Sequence, residues 1–425
     1  MMCMRKPEKL TSLTMAVIAI AFLTKTLLTV FVLPVSPQSD FAHWVQVAAF
    51  TEALVRQGSL PPISAYTGMA LLLAPFYAVW SALPIAHPPL SQAIGSTSES
   101  GLLLVFVMKL PILLSDLIAG GLVAAIAASL SSREAALKSL LVWYLNPYAF
   151  YLMEYHGTFD IVATAIVLAA IFFAIKGRWA SAGFSLSIAS VLRLYPALLF
   201  PVFLYYAVRA RRKWSAARMV LSFAGLILAG LLLVGLGSGS LSSVINLIVN
   251  LPLAEPWLSD FSAFEVSPYL TLTPLAVAAQ IYLVAAYWKK GIGMTGIANS
   301  VLATLLALLL TSYHHFYHFT WVIPLLTLYF VVAEQSPTLF ILILVGAYLD
   351  SLGYYTTNST ITLFQPLFAG IFYGAKAAYS LEINLHAMGI PTPRSLFSST
   401  LDLRSAHTGG KDSEHVPFRI KGRLL

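Results

Sequence analysis

Residues 103–129 read LLVFVMKLPILLSDLIAGGLVAAIAAS, a run of apolar residues that contains only two charged side chains, Lys109 and Asp116. About 20 such residues are enough to cross a bilayer as a helix. The whole chain has this character, since 59% of its 425 residues are hydrophobic, 10% are charged and the mean hydropathy is +0.82. Soluble domains carry about 25% charged residues, so this composition excludes a soluble protein.

The apolar runs are continuous, whereas a membrane barrel shows alternating segments of about ten residues. Helices satisfy their own backbone hydrogen bonds in lipid. We therefore predict an all-α, polytopic integral membrane protein with about 12 hydrophobic segments, some of them short. The predicted segments are 12–34, 103–129, 138–154, 160–175, 180–194, 196–208, 216–237, 269–288, 293–311, 319–333, 338–356 and 361–379.

We predict two parts in the chain: a membrane domain over 1–380 and a polar, basic, cytosolic tail over 381–425. An outer loop over 35–101 belongs to the membrane domain. It contains an amphipathic stretch at 41–57 and an apolar stretch at 67–84 that is flanked by polar sequence. The second stretch is predicted to be re-entrant or interfacial, without crossing the membrane.

The positive charges support this topology. With the N-terminus inside, Arg56 and Arg193 map to the outer side and Lys25 and Lys109 fall within spans, while the other Lys and Arg residues map to the inner side. This is the bias of the positive-inside rule, so the net charge of +8 does not indicate nucleic-acid binding. We predict a multi-pass protein of a plasma or ER-type membrane with both termini cytosolic. The single cysteine, Cys3, excludes a disulfide framework or a cysteine-ligated metal site.

Titratable residues collect on the predicted outer side. These are Asp40, His43, Glu154, His156, Asp160, Arg193, His314 and His318. Asp40 suits a general base at the membrane surface, or alternatively the N-cap of the helix over 41–57. Asp160 has the same N-cap alternative for the next helix, and Gly157 suits the turn before it.

The basic residues and the histidines also have more than one possible role. Arg193 suits a phosphate or carboxylate ligand, with an internal pair to Glu154 as the alternative. Lys109 and Asp116 share a helix face and are expected to pair, with each other or with neighbours. His314 and His318 have zinc-ligand spacing, but no acid lies near them in sequence, so we assign no metal site and a divalent metal stays unsupported.

The order of these motifs resembles a known family. Asp40 follows the first span; a Lys109-x6-Asp116 helix and Asn146-Pro147 come next. Lys176-Gly-Arg, the segment Ala182–Ala189, Arg193-Leu-Tyr195-Pro196 and an aromatic span with Tyr317, Trp321 and Pro324 complete the pattern. The pattern is similar to the polyprenyl-phosphate-sugar-dependent glycosyltransferases of the GT-C superfamily. The nearest groups are the catalytic subunit of the GPI first mannosyltransferase and the prokaryotic polyprenol-phosphate-mannose-dependent mannosyltransferases.

This resemblance implies a GT-C-like fold and an inverting transfer of a sugar, expected to be mannose, on the outer or lumenal face. A polyprenyl-phosphate sugar would be the donor, in place of any other cofactor, and a glycolipid, glycan or protein the acceptor. Asp40 would be the catalytic base. The expected substrate-binding residues are His43, Glu154, His156, Asp160, Arg193, Tyr195, His314 and His318. Two departures are Gln at position 38, where relatives carry a second acid, and Arg at 193, where many have Lys.

Three alternatives remain open. The non-catalytic subunit of the GPI transamidase is related to these enzymes and shares their architecture, so a non-catalytic subunit of a membrane complex is one. A transporter is the second, although the sequence around 140–205 has no second copy. A zinc hydrolase is the third, and it needs an acid to converge with His314 and His318.

Overall fold

The computed structural model describes residues 7–31, 40–58, 67–94, 98–193, 195–210, 214–237, 296–311 and 316–354, together with positions 96, 282, 285 and 286. Every regular element in this part of the chain is helical. The predicted all-α class is therefore confirmed. The predicted segment at 269–288, apart from positions 282, 285 and 286, the segment at 361–379 and the tail over 381–425 lie outside the described residues. The number of spans and the GT-C-like architecture therefore stay predictions.

Fourteen α-helices are described, and their order follows the chain. They are α1 (Pro7–Phe31), α2 (Asp40–Arg56), α3 (Thr67–Ser81), α4 (Leu90–Ala93), α5 (Glu99–Leu130), α6 (Arg133–Tyr144), α7 (Pro147–Phe150), α8 (Asp160–Ile175), α9 (Trp179–Leu192), α10 (Phe200–Arg209), α11 (Ser215–Gly237), α12 (Ile297–Thr311), α13 (Ile323–Val332) and α14 (Pro337–Tyr354). A π-helical turn, Tyr151–Tyr155, follows α7, and 3₁₀ turns at Tyr195–Leu199 and Phe316–Trp321 precede α10 and α13.

Helix α5 has the 32 residues and the apolar composition needed to cross a membrane by itself, and eight of the other described helices carry shorter apolar stretches. Several predicted spans are divided into pieces for local reasons. Asn146-Pro147 ends the helix that began at Arg133, because the Asn146 side chain caps the backbone N–H groups of Tyr148 and Ala149. Pro196 similarly separates α9 from α10.

Helix α5 lies at the centre of the packing. It contacts α6, α8 and α13, and α9 packs between α8 and α11. Helices α2 and α3 pack on each other, and α3 also contacts α5 and α9. The approach of α3 to α9 depends on Gly68, because a Cβ atom there would overlap the carbonyl oxygen of Val191. With 15 residues, α3 is about 22 Å long, shorter than the roughly 30 Å hydrocarbon core.

Candidate functional site

An ion pair between Arg193 and Asp160 lies where two helix ends meet. Arg193 follows the last residue of α9 with an extended backbone, and Asp160 is the first residue of α8. Arg193 Nε lies 2.5 Å from Asp160 Oδ1, and the indole N–H of Trp321 donates to Asp160 Oδ2 at 3.0 Å. The Asp160 side chain is fully buried, while 15% of the Arg193 side chain stays exposed. Both carboxylate oxygens of Asp160 are thus held by groups of the same chain.

The alternative interpretation, in which Arg193 pairs with Glu154, is therefore wrong. Glu154 lies 3.1 Å from Lys25 instead, and Gly157, with φ of +77°, lies in the turn between the two acids. The turn leaves little room, since a Cβ at Gly157 would lie 3.0 Å from the Cβ of Phe41. The N-cap role of Asp160 is also wrong, because Phe159 occupies that position and makes no side-chain cap.

Three aromatic rings stack beside the Arg193–Asp160 pair. The Trp321 ring lies between Tyr195, at a centroid distance of 4.0 Å, and His318, at 4.3 Å. The Tyr195 hydroxyl lies 2.9 Å from Thr164 Oγ1, whose own proton goes to the Asp160 carbonyl oxygen at 2.9 Å. The Tyr195 hydroxyl is consequently the donor to Thr164. This stacking fixes the orientation of the Trp321 indole, whose N–H donates to Asp160.

Helix α2 is attached to this centre by contacts between cations and aromatic rings. The Arg193 guanidinium carbon lies 4.9 Å from the ring centroid of Trp44, and Lys109 Nζ lies 5.4 Å from that of Phe41. Such contacts are worth about 0.5–2 kcal/mol each, more when desolvated. The His43 ring meets Trp44 edge-on at 5.8 Å. Partial burial, and secondly the charge of Arg193, lower the pKa of His43 below its ordinary value.

A second group of charges is buried deeper, between α1, α5 and the π-helical turn. Lys25 Nζ lies 3.1 Å from Asp116 Oδ2 and 3.1 Å from Glu154 Oε1. The indole N–H of Trp143 donates to Asp116 Oδ1 at 2.9 Å, and Lys109 Nζ donates to the backbone carbonyl of Glu154 at 2.6 Å. We refer to Lys25, Lys109, Asp116 and Glu154 as the buried charge cluster.

The expectation that Lys109 and Asp116 pair is met only through neighbours. Seven residues separate them, which is about 10.5 Å along a helix axis, too far for a direct ion pair. Each therefore bonds to a different group: Asp116 to Lys25 and Lys109 to the Glu154 backbone. The tertiary packing of the helices thus determines the partners of both Lys109 and Asp116.

The structure brings together some of the sequence-predicted site residues and separates others. Arg193, Asp160, Tyr195, His318 and His43 surround Trp321 and Trp44. Glu154 belongs to the buried charge cluster, and His156 is 2% exposed. His314 and the side chain of Asp40 lie outside the described residues, although α2 does begin at Asp40. The ligand-binding roles of these residues stay predictions.

The sequence did not predict a site role for three residues that contact these charges: Lys25, Trp44 and Trp143. Lys25 carried a usable signal, because a lone lysine within an apolar span needs a partner. The two tryptophans carried none, since indoles are common at membrane surfaces and in cores. Within the described ranges, no three His, Cys, Asp or Glu side chains lie close enough together to hold a metal ion.

One comparison with known proteins returned a match. Residues 63–251 match the model of a family described as the GPI transamidase subunit PIG-U. The matched region, which is less than half of the chain, runs from before α3 to beyond α11 and so includes Asp116, Glu154, Asp160 and Arg193. No curated protein and no solved structure matches the chain.

This match corrects the predicted activity. The prediction of a mannosyltransferase, with a polyprenyl-phosphate sugar as donor and Asp40 as its general base, is wrong: the family that matches is a transamidase subunit and not a glycosyltransferase. The shared motif order explains the error, because the same architecture occurs in the enzymes and in the related subunit. The part of the prediction that is supported is the resemblance of residues 63–251 to a membrane protein of the GPI pathway.

Proposed function

We propose that this chain is a non-catalytic, multi-pass subunit of a transamidase-type membrane complex. The likeness of residues 63–251 to the GPI transamidase subunit supports the type of complex. The predicted apolar segments and the long apolar helix α5 support a position within the membrane.

The observation that carries the non-catalytic role is the internal bonding of Asp160. A general base must be able to accept a proton from its substrate. Asp160 is fully buried, one of its oxygens is paired with Arg193 and the other accepts from Trp321. To act as a base, Asp160 would first have to break its ion pair with Arg193 and its hydrogen bond with Trp321. Arg193 would then lose the carboxylate that balances its charge.

Asp116 and Glu154 support the same conclusion. Both are fully buried, and both face the ammonium group of Lys25 at 3.1 Å. Buried charges that are paired in this way connect helices, here α1, α5 and the π-helical turn. The polar groups of the membrane domain thus act as a framework that holds α2 and the ends of α8 and α9 in place.

Within this role, the residues with some exposure remain proposed ligand contacts. His43, Arg193 and His318 lie around the two tryptophans, and each keeps part of its surface accessible. Their chemistry suits an anionic lipid head group at the predicted outer side. Glu154 and His156 are less suited, because both are almost fully buried.

The test is acyl transfer by complexes isolated through this chain. A transamidase cleaves an amide and joins the released acyl group to a new amine, so hydroxylamine should trap that group as a hydroxamate. Membranes that express the tagged chain are solubilised in mild detergent, and the isolated complex is given a peptide substrate and hydroxylamine. We expect hydroxamate from the complex and none from the chain purified alone. Acyl transfer by the chain alone would refute the non-catalytic role, and a chain isolated without any acyl-transfer activity would refute the type of complex.

Asp160→Asn separates a structural role from a catalytic one in the same assay. A catalytic base contributes about 10²–10⁴-fold to the rate. We expect less complex to assemble, with unchanged hydroxamate formation per assembled complex. Glu134→Gln is the matched control, because Glu134 is an exposed acid that pairs with Lys138 on its own helix. A loss of a hundredfold per complex in Asp160→Asn would assign Asp160 to the reaction.

A further inference from the structure

The N-termini of α9 and α11 lie side by side, at the end of both helices that is predicted to face the inner side of the membrane. A Cβ atom on Gly183 would overlap the backbone of Met219, and the Ser187 hydroxyl donates to the backbone carbonyl of Phe223 at 2.9 Å. Both contacts join residues that are 36 positions apart, so α9 and α11 run parallel. The first residues of the two helices are also 36 positions apart, and the two helix starts are therefore level with each other.

The residue before each of these helices has no acceptor with which to cap it. Arg178 precedes α9 and makes no side-chain cap, and Trp214 precedes α11 with φ of +79°. Guanidinium and indole groups only donate hydrogen bonds, so neither can accept from the free backbone N–H groups of a first turn. Helices α5 and α6 differ, because Ser98 and Ser132 accept from their first turns. The starts of α9 and α11 thus lack the usual capping acceptor.

Two arginines occupy positions that their own helices disfavour. Arg178 directly precedes α9 and Arg218 is the fourth residue of α11, where the positive end of a helix dipole repels a cation. Both are exposed, and neither forms an ion pair with a described residue. Residues 161–254 contain no Asp or Glu, so these helices cannot supply a counter-charge themselves. Lys176 and Arg209 are different, since they lie at the carboxyl ends of α8 and α10, where a helix dipole favours a cation.

Trp179 is an independent sign of a missing acceptor at the same place. The residue is 3% exposed, and its indole N–H donates to no group within the described part of the chain. Buried polar groups are normally hydrogen-bonded, so an unpaired one calls for an explanation. Trp179 is the first residue of α9, and the Cα–Cβ bonds of a helix tilt toward its N-terminus. A ligand at the helix starts can therefore supply the acceptor.

We propose that the starts of α9 and α11 together bind the phosphate group of an anionic phospholipid, in the leaflet on the predicted inner side. The phosphate oxygens accept from the free backbone N–H groups of both first turns, as phosphates commonly do at helix N-termini. Their negative charge balances Arg178 and Arg218 through charge-assisted hydrogen bonds. One anion thus removes the missing caps and the unfavourable positions of both arginines.

The surroundings of the site favour a lipid as the source of the phosphate. Trp214 is 63% exposed, and tryptophan is enriched where a membrane meets water. Leu221 and Leu228 are exposed as well and share one face of α11, along which an acyl chain can lie. The site is roughly 20 Å from Arg193, at the other end of the 14-residue helix α9. It is separate from the ligand contacts proposed for the outer side and does not depend on the transamidase role.

The test uses the full chain, purified in detergent and freed of lipid, with phosphatidylglycerol as the probe and native mass spectrometry to count bound lipid. We expect one tightly bound phosphatidylglycerol per chain, and phosphatidylcholine to bind about tenfold more weakly because its choline group neutralises the phosphate. The variant with both Arg178→Gln and Arg218→Gln should bind phosphatidylglycerol about thirtyfold more weakly, the usual contribution of two cations near anionic lipid. Its binding of phosphatidylcholine should not change. Trp179→Phe should weaken phosphatidylglycerol several-fold.

A variant that gains a cap separates loss of the site from loss of the fold. Aspartate at position 178 would accept from the first turn of α9 and so occupy the N–H groups that the phosphate needs. Arg178→Asp should therefore lose phosphatidylglycerol and, in the lipid-free chain, raise the midpoint of thermal unfolding. Unchanged lipid binding in this variant would contradict the proposed site.

The matched control carries Arg133→Gln and Lys138→Gln. It removes the same charge from the same predicted side, but at α6, whose start is capped by Ser132. It should bind phosphatidylglycerol as the wild type does. Four results would overturn the proposal: equal binding of the two lipids by the wild type, unchanged binding by the Arg178 and Arg218 double variant, an equal loss in the control, or displacement of the lipid by millimolar inorganic phosphate, which would assign the site to soluble phosphate. Failure of the acyl-transfer assay would leave these results unaffected, so the two proposals can fail separately.

Discussion

Replacing Arg193 with alanine should lower the free energy of unfolding by about 3–5 kcal/mol, the usual effect of removing one partner of a buried ion pair. The carboxylate of Asp160 would remain fully buried and would lose the guanidinium group that carries its counter-charge. The contact of the guanidinium with Trp44 would be lost as well, which is worth about 0.5–2 kcal/mol of that range.

The two partners differ in exposure, and this difference predicts an asymmetry. Asp160→Asn should cost about 1–3 kcal/mol, because asparagine keeps the size and can still accept from Trp321. Arg193 is 15% exposed and can turn its charge to solvent when Asp160 is neutral. In the Asp160→Asn background, Arg193→Ala should cost less, because the buried counter-charge is already gone while the contact with Trp44 is still lost. We therefore expect a coupling energy of about 2 kcal/mol or more.

The assay is reversible unfolding by SDS in mixed micelles, followed by tryptophan fluorescence, because Trp44 and Trp321 both contact the pair. Lys138→Ala is the matched control, since it breaks an ion pair whose side chains are 59% and 74% exposed and should cause no measurable shift. If Arg193→Ala unfolds like the wild type, or if the double variant is strictly additive, the pair does not hold the fold and the reasoning fails.

Three further predictions follow from other sites and are checked by thermal unfolding in detergent. Lys25→Met should cost about 3–5 kcal/mol, because two buried carboxylates would lose the ammonium group that lies 3.1 Å from each of them; an unchanged midpoint would contradict the pairing. Gly68→Ala should cost about 1–3 kcal/mol, since its Cβ would overlap a carbonyl oxygen of α9, whereas Gly121→Ala, where nothing lies within 4 Å, should be neutral or stabilising. Lowering the pH from 7.5 to 5 should destabilise the wild type more than the His43→Gln variant. Burial and the charge of Arg193 lower the pKa of His43 in the folded chain. The unfolded chain therefore binds a proton at about pH 6.5, where the folded chain does not, and acid favours the unfolded state. Equal losses in both proteins would show that His43 does not contribute.

The incorrect enzyme prediction has a structural reason. Motif order and spacing describe an architecture, and one architecture can serve both an enzyme and a related subunit without activity. Only the surroundings of the acids distinguish the two. Asp160 was predicted to bind substrate, but in the structure its oxygens face Arg193 and Trp321.

Much of the fold could be predicted from composition and local signals. The apolar run at 103–129 becomes the interior of α5, and the predicted start of a helix at 160 agrees with α8. The break at Asn146-Pro147 also agrees, because the Asn cap and the missing Pro N–H act within a few residues. The π-helical turn at Tyr151–Tyr155 was not predicted, since it has no comparable local signal.

The sequence by itself determined the helical class, most of the described helix boundaries and the presence of costly charges within apolar segments. These properties depend on hydropathy and on contacts between near neighbours in the chain. Only the tertiary structure decided which charges meet. Lys25 and Asp116 are 91 residues apart, and Trp321 reaches Asp160 across 161 residues. A buried charge must find a partner, but the partner is chosen by helix packing, and no spacing rule along the chain specifies that choice.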